Sequence, residues 1–291
     1  MHIGFSLFTD IILEKSGSKR YAEWPDTFTE INSIFRYLKE EGVSHIEIKL
    51  PGTLSESDIY NVLGKVTEAG FGYTFHAPGG FVFPDEFENY ITLLEQIVKI
   101  SNSHFDQKAT IIFHGLSSST NTREDLLRRN RIFVTRLHQV LAKYDVLLAF
   151  EILRDSDDNG KLRTGTSYQE VIDLISPFPN GNIGVCWDFG HGYSQSKRGI
   201  HEEIPPAEFL KLVRHTHVHD YKNKVTHLPL GQGQVPYQIY IQRLVDADFS
   251  GIFNLELNPG RIKDPENFQS YIIQSIRLLK RTLTNIESTT Y

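Results

Sequence analysis

The chain carries twelve histidines, and five of them, His76, His114, His191, His217 and His227, stand at or just beyond the C-terminal ends of strand-like runs. Three carboxylates share that position: Glu151, Asp188 and Glu256. Imidazole nitrogen and carboxylate oxygen form a mixed donor set that suits a divalent metal, Zn or Mn, with Co and Fe(II) as alternatives. Water on such an ion becomes a nucleophile near neutral pH, and a hydroxyl or carbonyl on it is polarised. Any one of these histidines, taken singly, reads as an ordinary polar residue at a strand end. Three acids drawn together without a cation would repel one another at a cost. Eight such residues on one rim therefore point to a metal centre. His215, His217 and His219 alternate and so share one face of their strand. Of the three, His217 is assigned to the metal, and His219 with Asp220 to holding the ligands or touching substrate.

The elements that must position these residues are legible as alternation. Apolar runs at 2–6, 45–50, 72–77, 109–114, 146–151, 183–188, 215–220 and 252–257 are separated by longer stretches. Residues 26–41 place Phe28, Ile31, Phe35 and Leu38 on one helical face, and residues 85–101 do the same with Phe87, Ile91, Leu94 and Val98. Stretches 122–143, 235–247 and 265–284 follow the same period. Asp26 and Asp264, each beside a proline, are expected helix starts. Apolar strands joined by helices imply a parallel sheet covered on both faces. Eight such units predict an α/β fold, a single (β/α)8 TIM barrel, with one domain over residues 1–291. The turn after the first run, GFSLFTD, lacks the glycines of a dinucleotide-binding fold. The main irregular segments, 77–84, 152–167, 189–205 and 221–234, all follow strand C-termini, the face on which barrel enzymes carry their sites.

Composition narrows the classes. Hydrophobic residues make up 40% and charged residues 23% of the 291, which excludes disordered, collagen-like and coiled-coil chains. The single cysteine, Cys186, excludes an internal disulfide and suits a reducing compartment. The N-terminus has no basic, apolar leader, and no long apolar run is present, so a cytoplasmic protein with no membrane partner is expected. The net charge of −6 offers no chain-wide footprint for nucleic acid.

Other features have plainer readings. DSDDNG at 155–160 opens like a calcium loop, but Thr166 stands where the closing glutamate would be, and a solvated loop is expected. Arg128, Arg129, Arg131 and Arg136 read as a solvated outer helix face. Cys186 and Trp187 belong to the core, and His2, His45, His104, His138 and His201 are structural.

The ordered motifs HAPGG (76–80), FHG (113–115), FEI (150–152), CWDFGH (186–191), HVHD (217–220), HLPLGQG (227–233) and LELNP (255–259) resemble the xylose isomerase-like TIM-barrel superfamily over nearly the whole chain. That group includes endonuclease IV-type DNA repair enzymes, ketose 3-epimerases and hydroxypyruvate isomerases. The resemblance implies that Glu151, Asp188, His217 and Glu256 form the four-ligand centre of the sugar enzymes, with Glu151 and Glu256 as catalytic acid and base. It implies a substrate-contacting or metal-binding role for His191. In the endonuclease type, His76 and His114 match further ligands, Glu151 bridges two metals, and His191 with His227 match two of three ligands of a third. The remaining ligand, an aspartate, is Val225 in this chain, followed by Thr226. The segment after Glu151 and the DFGH motif also depart from the endonuclease pattern.

Three readings result. The first is a metal-dependent sugar or sugar-phosphate isomerase or epimerase that moves a proton next to a carbonyl. Its substrate would meet His191, His219, Asp220 and His227, and a homo-oligomer is compatible with it. The second is an endonuclease IV-like multinuclear zinc phosphodiesterase acting on abasic DNA, with Phe81, Phe83, Tyr193, Lys197, Arg198, Lys222 and Lys224 as its mouth. The third is a barrel that binds metal without catalysis. The acidic charge and the motif departures favour the first.

Overall fold

The computed structural model describes residues 1–18, 30–78, 87–105, 108–155, 161–178, 181–262 and 267–289. Eight strands close a parallel barrel: β1 His2–Phe8, β2 His45–Lys49, β3 Gly72–His76, β4 Ala109–Phe113, β5 Val146–Glu151, β6 Ile183–Asp188, β7 Val213–Val218 and β8 Ile252–Leu255. Each pairs with its neighbours in sequence, and β8 returns to β1 through His2 opposite Ile252. The expected (β/α)8 barrel is the fold. Beyond its strands lie ten helices among the described residues: α1 Thr9–Ile12, α2 Ile31–Glu40, α3 Glu56–Glu68, α4 Phe87–His104, α5 Arg123–Leu141, α6 Tyr168–Ile175, α7 Phe189–Ser196, α8 Ala207–Leu212, α9 Tyr237–Val245 and α10 Phe268–Thr289. None is long and apolar enough to cross a membrane.

The helical period does what the sequence requires. Ile31, Ile34, Phe35 and Leu38 of α2 are buried against the barrel, as are Ile91, Leu94 and Val98 of α4. Caps fix several helix starts: the side chains of Ser55, Thr122 and Ser167 accept backbone N–H groups of α3, α5 and α6. Phe28, the two aspartates expected to start helices, Phe81, Phe83 and all of DSDDNG but Asp155 lie outside the described residues. The arginines of α5 lie on its outer side, where Arg128 and Arg129 pair with Asp125 and Arg136 with Glu88.

Two expectations need correction. The seventh strand covers Val213–Val218, not 215–220, and Asp220 instead opens a hairpin in which Asp220–Lys222 pairs with Val225–Leu228. Asn223 and Lys224 join the two at positive φ (51° and 67°), as a tight hairpin turn requires. Segment 189–205 begins with a helix, α7. Its sequence FGHGYSQS shows no apolar stripe because nearly every side chain is buried, and Asp188 starts it by accepting the His191 N–H at 2.7 Å.

Candidate metal centre

The strand ends open onto a cavity of about 500 Å³ at the C-terminal mouth of the barrel. His76, His114, Glu151, His191, His227 and Glu256 all line it. Asp188 and His217 lie behind this lining, both fully buried, Asp188 in contact with His191 and His217 with Glu151 and Glu256. Register explains part of this convergence, since Asp188 lies directly opposite His217 on neighbouring strands.

His217 is the centre of the group. Its Nε2 lies 2.9 Å from Glu47 Oε2, and its Nδ1 faces Glu256 Oε2 at 3.0 Å, Glu151 Oε2 at 3.5 Å and Asp188 Oδ2 at 3.8 Å. Ligand atoms of Glu151, Asp188, His217 and Glu256 all lie within 4.8 Å of one another. Among the described residues, three buried atoms in this space have no hydrogen-bond partner: His217 Nδ1, Glu256 Oε2 and His191 Nδ1. Buried acceptors that face one another are costly unless a cation or proton lies between them. The donor set and its orphaned atoms therefore fit a divalent metal ion.

A second tier surrounds Glu151. Its Oε2 lies 3.1 Å from His76 Nε2 and 3.0 Å from His114 Nε2, and its Oε1 lies 3.3 Å from His191 Nδ1. His191, His219 and His227 form a third cluster able to hold a metal ion. Among the described residues the site thus has donors for more than one ion.

Electrostatics follow from burial and neighbours. Burial alone would raise the glutamate pKa values. His114 and His217 nevertheless hold Glu151 well below the usual carboxylate range, and His217, Lys49 and His227 do the same for Glu256. Burial pushes His217 down, but Cys186, Glu256, Glu47 and Glu151 push it further up. Burial and the neighbouring His219 hold His227 well below its ordinary value, so it stays neutral and able to donate a lone pair.

Sequence reasoning missed three residues here. Glu47, fully buried in β2, accepts from both His215 and His217 at 2.9 Å and from Ser6 Oγ at 2.8 Å. His217 and His215 hold its carboxyl ionised against the opposing effect of burial. Lys49, at the end of the same strand, forms an ion pair with Glu256 Oε1. Arg261 lines the cavity from the 3-10 turn Pro259–Arg261. The available signal was HIEIK: a glutamate between two isoleucines in a strand covered on both faces has to point at a partner.

Two expected substrate contacts do not line the cavity. His219 is buried behind Asp188, with Nε2 2.9 Å from Asp188 Oδ1, so it orients that carboxylate. A Cβ at Gly190 would come within 2.0 Å of the His219 ring, which explains the glycine. Asp220 accepts four backbone N–H groups, from Tyr221, Gly231, Gly233 and Val235, at 2.7–3.0 Å, and so folds the loop after β7. Of the mouth expected for DNA, Lys197 is paired with Glu203 at 2.7 Å and Arg198 donates to the Asp155 carbonyl.

Comparisons with known proteins bear on the fold. An uncharacterized protein of Methanocaldococcus jannaschii is 35% identical over 116 residues, 40% of each chain. A probable endonuclease 4 of Mycoplasma mycoides is 26% identical over 188 residues, 60% of this chain and 61% of that one. The matches thus span less than two thirds of either relative. Among solved structures, a D-tagatose 3-epimerase-like protein superposes with a TM-score of 0.71 at 15% identity, covering 99% of both chains. The 3-keto-D-glucoside 4-epimerase of E. coli gives 0.68 at 19% identity, covering 97% of this chain and 99% of that one. At such identities these structures speak for the fold. The sequence profile of the family described as "Xylose isomerase-like TIM barrel" matches residues 35–282. On that match, and on the closed barrel that carries it, the chain belongs to the xylose isomerase-like TIM barrel family.

Proposed function

We propose that the protein is a divalent-metal-dependent isomerase or epimerase of a sugar or sugar phosphate. The observation that carries this reading is the convergence of Glu151 and Glu256 on the orphaned Nδ1 of His217, with Asp188 completing the set. Two acids at one polar floor are what proton removal and return next to a carbonyl require. The epimerase names of the structural neighbours add support.

Glu151, Asp188, His217 and Glu256 would hold the ion, zinc or manganese. When bound, it would act as a Lewis acid on adjacent carbonyl and hydroxyl oxygens. His217 and Lys49 keep Glu256 as a carboxylate, the form that would take the proton from carbon. Glu151, within hydrogen-bond distance of His76 and His114, would be the second carboxylate, through which the proton returns to the substrate. Return to the opposite face of the same carbon gives an epimer, and return to the neighbouring carbon gives an isomer. His191 and His227 line the cavity where substrate oxygens would lie.

The further donors, His76 with His114 and the His191–His219–His227 cluster, favour a second reading, a multinuclear zinc phosphodiesterase like the endonuclease 4 relative. Counting metals by element on protein purified without chelator separates the two. One ion per chain, with solvent deuterium entering a ketose, supports the isomerase or epimerase. About three zinc ions per chain, with cleavage of abasic duplex and no exchange, supports the phosphodiesterase.

A further inference from the structure

The floor of the cavity is built from carboxylates and imidazoles, and toward its rim the lining carries Asp10, Lys49 and Arg261. Arg261 lines the catalytic cavity and also a second, adjoining groove of about 700 Å³. Lys222, Asn223, Gln232 and Tyr271 line that groove beside it, and none of its described lining residues is an acid. Arg261 donates one hydrogen bond, to Thr226 Oγ1 at 3.1 Å. Among the described residues, neither Arg261 nor Lys222 has a carboxylate partner at ion-pair distance. Lys49, by contrast, is neutralised by Glu256. Among the described residues the guanidinium of Arg261 thus makes one side-chain hydrogen bond and lines both hollows.

We infer that Arg261, assisted by Lys222, is the anion-recognition site of the substrate. The ligand is a small polyol or ketose whose far end carries a phosphate monoester. Its oxygen-rich end would lie on the carboxylate floor, and its phosphate would meet the guanidinium fork at the rim. The groove offers two cations and two amide side chains, enough to match the oxygens of one phosphate. This inference rests on the isomerase or epimerase reading for the floor and stands on Arg261 for the rim.

The test uses the zinc-loaded full chain with inorganic phosphate as probe, read by phosphorus NMR titration, in wild type and Arg261→Met. Any binding of phosphate to zinc is common to both proteins, so the difference reads the rim. Loss of one charge-assisted contact should weaken phosphate about tenfold or more, with Arg261→Lys in between and the melting temperature of both variants retained. In turnover, the ratio of kcat/KM for a ketose phosphate over its neutral ketose should fall by a similar factor in Arg261→Met. Equal phosphate affinity in wild type and Arg261→Met overturns the inference. Tighter binding of abasic duplex than of any ketose phosphate overturns its small-molecule part. Phosphate discrimination without deuterium exchange into any ketose upholds the rim site and overturns the isomerase reading alone.

Discussion

Glu47 and His217 share a hydrogen bond of 2.9 Å inside the barrel, and that bond sets which nitrogen of His217 faces the candidate metal centre. A carboxylate behind a ligating imidazole fixes its tautomer and raises its basicity. Glu47→Gln keeps the shape and removes the charge. We expect divalent metal affinity to fall by about 10–100-fold, read by competition with a chelating dye. Unchanged affinity would reduce Glu47 to a packing residue.

Glu151→Gln and Glu256→Gln should each lower turnover by about 10²–10⁴-fold while metal is retained in part. Rapid-quench or NMR assays of deuterium uptake, run beside metal counts, make the comparison. Full activity in both variants would sink the two-glutamate mechanism.

Chelation should lower the melting temperature, and returning zinc or manganese should restore it. Binding to the folded state alone adds about 2.7 kcal/mol at a free metal concentration one hundred times the Kd. Scanning calorimetry over a metal titration measures this, and a flat response would mean that the centre binds no metal in the folded chain.

Gly190→Ala should destabilise the protein, because the new Cβ would lie 2.0 Å from the His219 ring, which supports Asp188. Overpacking of this kind costs about 1–3 kcal/mol, and metal occupancy should fall with it. Chemical denaturation and metal analysis of the same sample test both parts.

At the start of β2, burial and the neighbouring His2 and His215 push His45 from 6.5 down to about 4. The unfolded ring takes a proton below about pH 6.5, whereas the folded one resists until about 4. Stability from this group is therefore complete above pH 6.5 and is lost as pH falls through that window. Discounted for a ring that keeps some contact with solvent, the loss is roughly 1–2 kcal/mol. His45→Gln should flatten the wild-type slope of unfolding free energy between these limits. Parallel slopes for the two proteins would contradict the assignment.

The barrel was legible because near-continuous apolar runs such as VLLAFE and IGVCWD recur between helical periods, and only a closed parallel sheet buries eight of them. The rim residues His76, His114, Glu151, His191, His227 and Glu256 were legible because strand ends in such a barrel converge. Glu47, Lys49 and Arg261 were not. Glu47 and Lys49 alternate with isoleucines as in a half-exposed strand, and only the cover on both faces of β2 marks Glu47 as needing a partner, while Arg261 follows a turn whose path no local rule sets. Asp220 was misplaced for a related reason. HTHVHD reads as one strand, but the ladder ends at Val218, and the carboxylate is recruited by amides fifteen residues or fewer downstream.

That recruitment bears on how the mouth of the barrel meets charge. A loop whose amides point inward at one spot is a ready-made nest for an anion. Here the protein supplies the anion from its own chain, since Asp220 already fills the nest formed by Gly231, Gly233 and Val235. That nest is thereby closed to a second anion, so under the proposed function the reading of a charged substrate at this loop falls to side chains. Side chains change by single substitutions while the loop keeps its shape, so substrate preference in this barrel can drift without the wall being rebuilt.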